Sequence, residues 1–365
     1  MKKLLILFIA VLALSVSACT PTGNGEGDGS RTFELALITD VGTINDKSFN
    51  QGSWEGLKAY AEDHDISYKY YAPAEKDTQQ YINSITLAVE NGAKVVVTPG
   101  FLFEPAIFEA QDMFPDTKFV ILDGTPNDGD WDTGPNYRIE DNVYSIFYAE
   151  EEAGFLAGYA AVKEGFTNLG FMGGMAVPAV VRFGYGFVDG AEYAAKELDV
   201  EVSILYTYLG DFEPSAAHQT KAASWFNSGV EVIFAAAGGA GNSVMKAAED
   251  ADKKVIGVDV DQSGESETVI TSSVKGLATS VYLALEDYYG DKFKGGVSET
   301  LDVTVNGVGL PEDFSRFENF TKADYDAIYD LLVKDTDGIR SNITLDTDVE
   351  EADEIKTEFV KVKLS

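Results

Sequence analysis

Between Phe33 and His64 an apolar run passes through a polar loop into a helical pattern, and this order constrains the fold more than any other part of the chain. Phe33–Ile38 is short, apolar and bounded by polar residues, so it reads as a buried strand. Thr39–Lys47 carries Gly42 together with Asp40, Asn45 and Asp46, residue types that build turns and caps. Ser48-Phe-Asn-Gln51 has the spacing of a capping box and places a helix start at Ser48. Trp54, Leu57 and Ala61 then recur on one helical face that would meet a sheet. Open α/β sheets hold ligands where a strand runs through a loop into a helix N-terminus, because that end offers unpaired N–H groups and partial positive charge. Phe49, beside Asn45, Asp46 and Asn50, has two readings. It anchors its own helix, with Asp46 as a cap, or it offers an aromatic face to a flat ring among groups that read hydroxyls.

The same alternation continues. Tyr68–Tyr71, Val95–Thr98 and Phe119–Leu122 read as strands, with helices over Thr78–Val89 and Pro105–Met113. After Asn142–Phe147 a helix over Ala149–Val162 carries small residues (Ala153, Gly154, Ala157, Gly158, Ala161) that permit close packing. A second series follows, with strands Leu169–Met172, Ser203–Tyr208, Val232–Ala236 and Val255–Val258. Its helices are Gly184–Leu198, Ser215–Asn227 and Asn242–Asp250. Such alternation implies parallel sheets with helices on both faces, in two similar lobes. The tail is less regular, with a helix over Leu277–Tyr289, a strand over Thr300–Val305, a helix over Lys322–Val333 and a last strand over Glu358–Val362. The lobes are expected at 32–145 and 146–261, with 262–298 returning to the first and 299–365 to the second.

Lys2 and Lys3 precede an apolar run from Leu4 to Leu14, the pattern of an export signal, and too short to span a membrane, which takes about 20 residues. Val16-Ser17-Ala18-Cys19 then resembles a bacterial lipobox: 1–18 is the signal, and Cys19, the only cysteine, is the expected lipidation site and first mature residue. A chance cysteine after an ordinary signal is the alternative, weakened by the small residues before it. A sole cysteine excludes an intrachain disulfide. The Gly-rich, polar stretch that follows makes 19–31 a flexible tether. The expected place is therefore the extracytoplasmic face of the cell membrane, held by lipid. With 27 basic against 61 acidic side chains, the formal charge is −34, which argues against binding nucleic acid, whose phosphates would be repelled.

At the ends of the expected strands stand Asp40, Thr98, Asp123, Gly173-Gly174, Gly238-Gly239 and Asp259-Val-Asp261, and such ends converge on the crevice of a doubly wound sheet. A carboxylate accepts two hydroxyl protons at once and so grips a vicinal diol; each Asp is equally a turn or helix cap. Phe183, after the GFMGGMAVPAV loop and at the start of the second-lobe helix, stands where Phe49 stands in the first. The two rings either sandwich a planar group or are core residues. Gly238-Gly-Ala-Gly241 offers backbone N–H groups and room for a sugar, or is a plain tight turn. Lys275 in TSSVKG is a donor to ligand hydroxyls or base, or a surface lysine. No phosphate-loop, HExxH, G-x-S-x-G or Cys/His pattern occurs, so no catalytic residue, metal or cofactor is expected. A hydrolase built on paired carboxylates is the rival from another class.

TDVGTINDKSFNQGSWEG, VILDG, GFMGGM with VRFGYGFVDG, FAAAGG, IGVDVDQ and TSSVKG resemble blocks of the basic membrane protein family of bacterial lipoproteins, the purine nucleoside receptor-like substrate-binding proteins of ABC transporters. The resemblance runs from about Phe33 to the C-terminus. It implies a type I periplasmic-binding-protein fold, two doubly wound α/β lobes joined by a hinge and closing on a nucleoside, foremost a purine one. It implies a base stacked between Phe49 and Phe183, the DKSFN block contributing Asp46, Ser48 and Asn50, and Asp123 at the base edge. Asp259 and Lys275 would hold the ribose near Gly239. Asp40 and Asn45, from the loop after the first strand, are the further candidate ligand contacts. The implied partner is an ABC permease, and the receptor is expected to be a monomer and not an enzyme. Gly276 departs from relatives with a basic residue there. A sugar or autoinducer receptor of the same fold is the alternative.

Overall fold

A computed structural model describes residues 32–40 and 42–365. The expected signal, Cys19 and tether lie outside the described residues, as does Val41. In chain order the first elements are β1 (Leu35–Ile38), α1 (Phe49–Asp63), β2 (Tyr68–Tyr71), α2 (Thr78–Glu90), β3 (Val95–Pro99), α3 (Glu104–Met113), β4 (Lys118–Leu122) and β5 (Val143–Tyr148). There follow α4 (Glu150–Glu164), β6 (Asn168–Gly173), α5 (Pro178–Leu198), β7 (Val202–Tyr208), α6 (Ala216–Asn227), β8 (Val232–Ala236), α7 (Gly241–Ala251) and β9 (Lys254–Asp259). The chain ends with β10 (Val269–Lys275), α8 (Leu277–Tyr289), β11 (Val297–Leu301), β12 (Val308–Gly309), α9 (Lys322–Lys334) and β13 (Val360–Leu364).

The strands form two sheets, ordered β11-β5-β4-β3-β1-β2 and β12-β10-β9-β8-β6-β7-β13. Their pairings are parallel except that of β10 with β12. Central strands such as LALI of β1 and VIFAA of β8 are buried throughout, as parallel strands covered on both faces must be. Edge strands β2 (YKYY), β11 (VSETL) and β13 (VKVKL) carry charges and exposed positions, which discourages pairing with another chain. This is the α/β, doubly wound architecture expected from the alternation. Strand order reverses between β1 and β3 in one sheet and between β6 and β8 in the other, and the C-terminal ends at such points open a crevice.

The chain passes between the sheets three times: from β5 into α4, from β10 through Gly276 into α8, and from β11 toward β12. The expectation that 262–298 returns whole to the first lobe is corrected for β10. Thr271 to Val274 pair in parallel with Ile256 to Asp259, so β10 extends the second sheet. The sequence hides it because Ser272 and Ser273 sit in its centre, where Ser272 Oγ accepts from the Gln262 N–H at 3.0 Å. The expected strand over Thr300–Val305 is also corrected: β11 lies earlier, in the first sheet, and Val303–Val305 is a 3₁₀ turn.

Helices α4 and α5 pack against each other through glycine. A Cβ on Gly154 would meet the Phe183 carbonyl oxygen at 2.1 Å, and one on Gly186 would meet that of Glu151 at 1.9 Å. Only a bare backbone lets the two helices approach so closely. That contact holds the first residues of α4 against the turn of α5 that carries Arg182 and Phe183.

Candidate functional site

The start of α1 is set by Asp46. Its Oδ1 accepts from the N–H groups of Ser48 (2.9 Å) and Gln51 (3.0 Å), and its Oδ2 accepts from the Asn50 N–H and Nδ2, each at 2.9 Å. The expected capping box is thereby corrected. Ser48 occupies the N-cap but makes no side-chain cap. Its hydroxyl, fully buried, donates instead to Asp259 Oδ2 at the end of β9. Asn50 donates to both Asp40 Oδ1 (2.8 Å) and Asp46, so its amide protons are spent on shaping the loop.

Asp123 follows β4 and Asp259 ends β9, and both adopt left-handed backbone, with φ of 52° and 66°. Aspartate tolerates this region better than most residues, and such positions gather where geometry matters. Between them lies Lys275, the last residue of β10 and 3% exposed. Its Nζ is 2.5 Å from Asp123 Oδ2, 2.8 Å from Glu150 Oε1 and 4.0 Å from Asp259 Oδ1. The same ammonium is 4.9 Å from the centroid of Phe49 and 5.3 Å from that of Phe183, within cation–π range of both. The surface-lysine reading of Lys275 is thus overturned.

These residues wall a cavity of about 500 Å³ at the strand ends, a size ordinary for a small-molecule site. Asp40, Asn45, Asp46, Phe49, Asn50, Asp123, Phe183, Gly239, Asp259 and Lys275 all line it. Ser48 does not; it stands behind Asp259. Phe183 is deep and nearly inaccessible, at 2%, whereas Phe49 is half-buried. Phe183 is not at a helix start as expected: Pro178, suited to the first helical turn, begins α5 earlier and puts Phe183 in its second turn. Asp261 points away, exposed, and accepts from the Ser263 N–H at 2.9 Å.

Sequence reasoning missed several lining residues. Glu104 accepts from the Thr125 N–H (2.8 Å) and from Asn127 Nδ2 (2.7 Å), anchoring the loop that brings Trp131 and Tyr137 to the mouth. Phe212 lies across from them on the second half's wall, and the first turn of α5, Pro178 to Val180, forms part of the same wall. Arg182, within VRFGYG, also lines the cavity, and its Nε donates to Glu150 at 2.7 Å.

Burial pushes the Asp123 carboxyl up to about 7, with the Lys275 charge pulling it down and the Glu150 charge adding to the rise. Burial also raises Asp40, to about 6, and raises Asp259. Burial acts upward on Glu150 as well, but Lys275 and Arg182 outweigh it and keep that carboxylate ionised. Asp123 Oδ1 is buried with no hydrogen-bond partner among the described residues, which is costly unless something donates to it.

A wider recess of about 980 Å³ lies beside α5 among Tyr185, Tyr208, Asp346, Asp348, Glu351 and Glu354. One strand end, Tyr208 of β7, reaches it, and its lining holds no cation. Its Asp346 pairs with Arg182 of the cavity wall at 3.4 Å. Among the described residues no cluster of His, Cys, Asp and Glu could hold a metal ion, and no helix is long and apolar enough to cross a membrane.

Residues 33–341 match the family described as ABC transporter substrate-binding protein, PnrA-like. The chain belongs to this family. It is similar to the ABC transporter nucleoside-binding protein BmpA of Lactococcus lactis subsp. cremoris, with 31% identity over 306 residues covering 78% of this chain and 82% of that protein. A lipoprotein of Pyrococcus abyssi is 27% identical over 306 residues, covering 80% and 73%. A solved solute-binding protein of an ABC transporter system from Aeropyrum pernix K1 superposes with a TM-score of 0.68 at 23% identity, covering 85% of this chain and 89% of that one. The fold is that of type I periplasmic binding proteins, and the protein is a substrate-binding component of an ABC transporter.

Proposed function

We propose that the protein captures a nucleoside, foremost a purine one, without chemical change and delivers it to an ABC permease. The observation that carries this reading is the convergence of Phe49 and Phe183 on one ammonium, flanked by carboxylates from the ends of β4 and β9. A flat base between the rings gains stacking of about 1 kcal/mol per ring beyond its buried area. Asp123, with one free buried oxygen, suits the donor edge of a base. Asp259 suits a ribose diol, with Lys275 as the donor to its oxygens and Gly239 leaving room for the sugar. Nucleotides are rejected: Asp40, Asp46, Glu104, Asp123 and Asp259 line the cavity, while Lys275 and Arg182 are already paired. The name of the Lactococcus relative supports the ligand class.

The anchor is a lipid on Cys19 with 19–31 as tether, on the extracytoplasmic face, a reading supported by the sequence and by the lipoprotein relative. The receptor acts as a monomer, with lobes meeting near 145 and 261. Closure of the two halves presents the liganded face to the permease.

Calorimetry on the chain from Arg31, freed of co-purified ligand, tests the assignment against adenosine, guanosine, cytidine, ribose, adenine and AMP. Nucleosides bind, and ribose, adenine and AMP bind weakly or not at all. Ribose binding as tightly as adenosine would replace the nucleoside reading with that of a sugar receptor.

A further inference from the structure

Glu150 touches none of the cavity, yet it holds two residues that do. It is the first residue of α4, immediately after the passage from β5, and it is fully buried. Oε2 accepts from Arg182 Nε at 2.7 Å. Oε1 lies 2.8 Å from Lys275 Nζ, at an angle that gives charge contact without a directed hydrogen bond. Lys275 ends β10 immediately before the second passage, so this one ion pair joins two of the three crossings between the sheets. From its ends the chain of charges continues to Asp123 in the first half and to Asp346 in the second. Arg182 stands next to Phe183, the buried ring of the cavity.

We propose that Glu150 is a positioning residue. It fixes the Lys275 ammonium close to both phenyl rings and ties that ammonium to the crossings, so that ligand capture and closure of the halves depend on a carboxylate the ligand never meets. A lysine on a flexible four-carbon stem needs such a fixed counter-charge to hold one place in the wall. Arg182, gripped from the same carboxylate, keeps the second turn of α5 against the start of α4. The proposal rests on the reading of this cavity as a nucleoside site.

Charge and shape make opposite demands here, which gives the test. Gln is the isostere of Glu without its charge, and Asp keeps the charge with a shorter reach. Adenosine affinity by calorimetry, and compaction on adding adenosine by small-angle X-ray scattering, are measured for the wild type, Glu150→Gln, Glu150→Asp, Lys275→Met and the double variant Glu150→Gln/Lys275→Met. The expected order of affinity is wild type, then Glu150→Asp, then Glu150→Gln, with Glu150→Gln weaker than wild type on the order of tenfold and less compact when saturated. The double variant binds no more weakly than Lys275→Met alone, because Glu150 acts through that lysine. If Glu150→Gln fails to fold, the double variant, which removes both buried charges, carries the same comparison with Lys275→Met. Additive losses, or Gln binding as tightly as Glu and better than Asp, overturn the proposal. Absence of adenosine binding by the wild type overturns the nucleoside reading instead.

Discussion

Two of the helices that reach the cavity, α1 and α5, start in opposite ways. At α1 the carboxylate of Asp46 accepts from three backbone N–H groups, and Asn50 bridges it to Asp40. That helix end is satisfied from within. At α5 the N-cap is Val177, with extended backbone and no side-chain cap, and Val177, Pro178, Ala179 and Val180 line the cavity. An uncapped helix end carries partial positive charge and N–H donors toward whatever occupies the space. The first half uses its helix terminus to stiffen a loop and offers side chains, while the second offers backbone. The ring residues differ in the same sense: Phe49 is half-buried at the rim of its helix, and Phe183 is part of the packed interior, 5.9 Å edge-on to Phe234.

The largest effect that sharpens this contrast comes from the rings. Phe183→Ala is expected to cost roughly 3–5 kcal/mol of stability, as deletion of a buried aromatic does, and to abolish binding with it. Phe49→Ala should cost only about 1 kcal/mol and remove most nucleoside affinity. Denaturant unfolding beside calorimetry separates the two; equal losses of stability would erase the distinction between rim and interior.

Next comes the cap. Asp46→Ala strands the α1 N–H groups and should lower stability by about 1–2 kcal/mol, with a loss of affinity because Phe49 is the first residue that cap positions. Urea unfolding of the ligand-free protein measures the first effect.

How far the sequence carries this contrast depends on whether a residue's role is local. The α1 start at Ser48, the strand ends at Asp123 and Asp259, and the βα order are set by spacing and by short apolar runs, so they can be read in advance. Ser48 looks like a cap in the sequence and is turned to Asp259 by tertiary contact, which spacing cannot show. β10 is hidden by two serines that are buried there, of which Ser272 accepts from the Gln262 N–H. Glu150 begins EEEAGF, which reads as acidic residues placed favourably at a helix N-terminus. Its burial comes where two chain passages meet, a property of topology alone. Lys275 could be read as surface or site, and only the closeness of Asp123, Glu150 and two rings decides its place.

Acidity gives a smaller effect confined to the first half. Because burial raises the Asp40 carboxyl to about 6 from its ordinary 3.8, the folded state holds that proton more firmly than the unfolded chain does. Its contribution to stability is therefore complete below about pH 4 and is lost as pH rises through 6. Relative to Asp40→Asn, the wild type should lose stability across that interval, seen in thermal unfolding at a series of pH values. Parallel curves for the two proteins would remove Asp40 from the account.

The smallest effect comes from supplying the cap that α5 lacks. Val177→Asp should stabilise the helix start by roughly 0.5 kcal/mol while weakening nucleoside binding, since the new carboxylate takes the N–H groups facing the cavity. A gain in stability with unchanged affinity would mean that the α5 terminus takes no part in holding the ligand.

The most direct test of the central claim is a crystal structure of the chain from Arg31 with the nucleoside that binds it most tightly. The account predicts the base between Phe49 and Phe183, a donor of its edge on Asp123 and the ribose hydroxyls on Asp259 and Lys275. A ligand seated in the recess beside Tyr185 and Tyr208, or in this cavity with its base away from both rings, would contradict it.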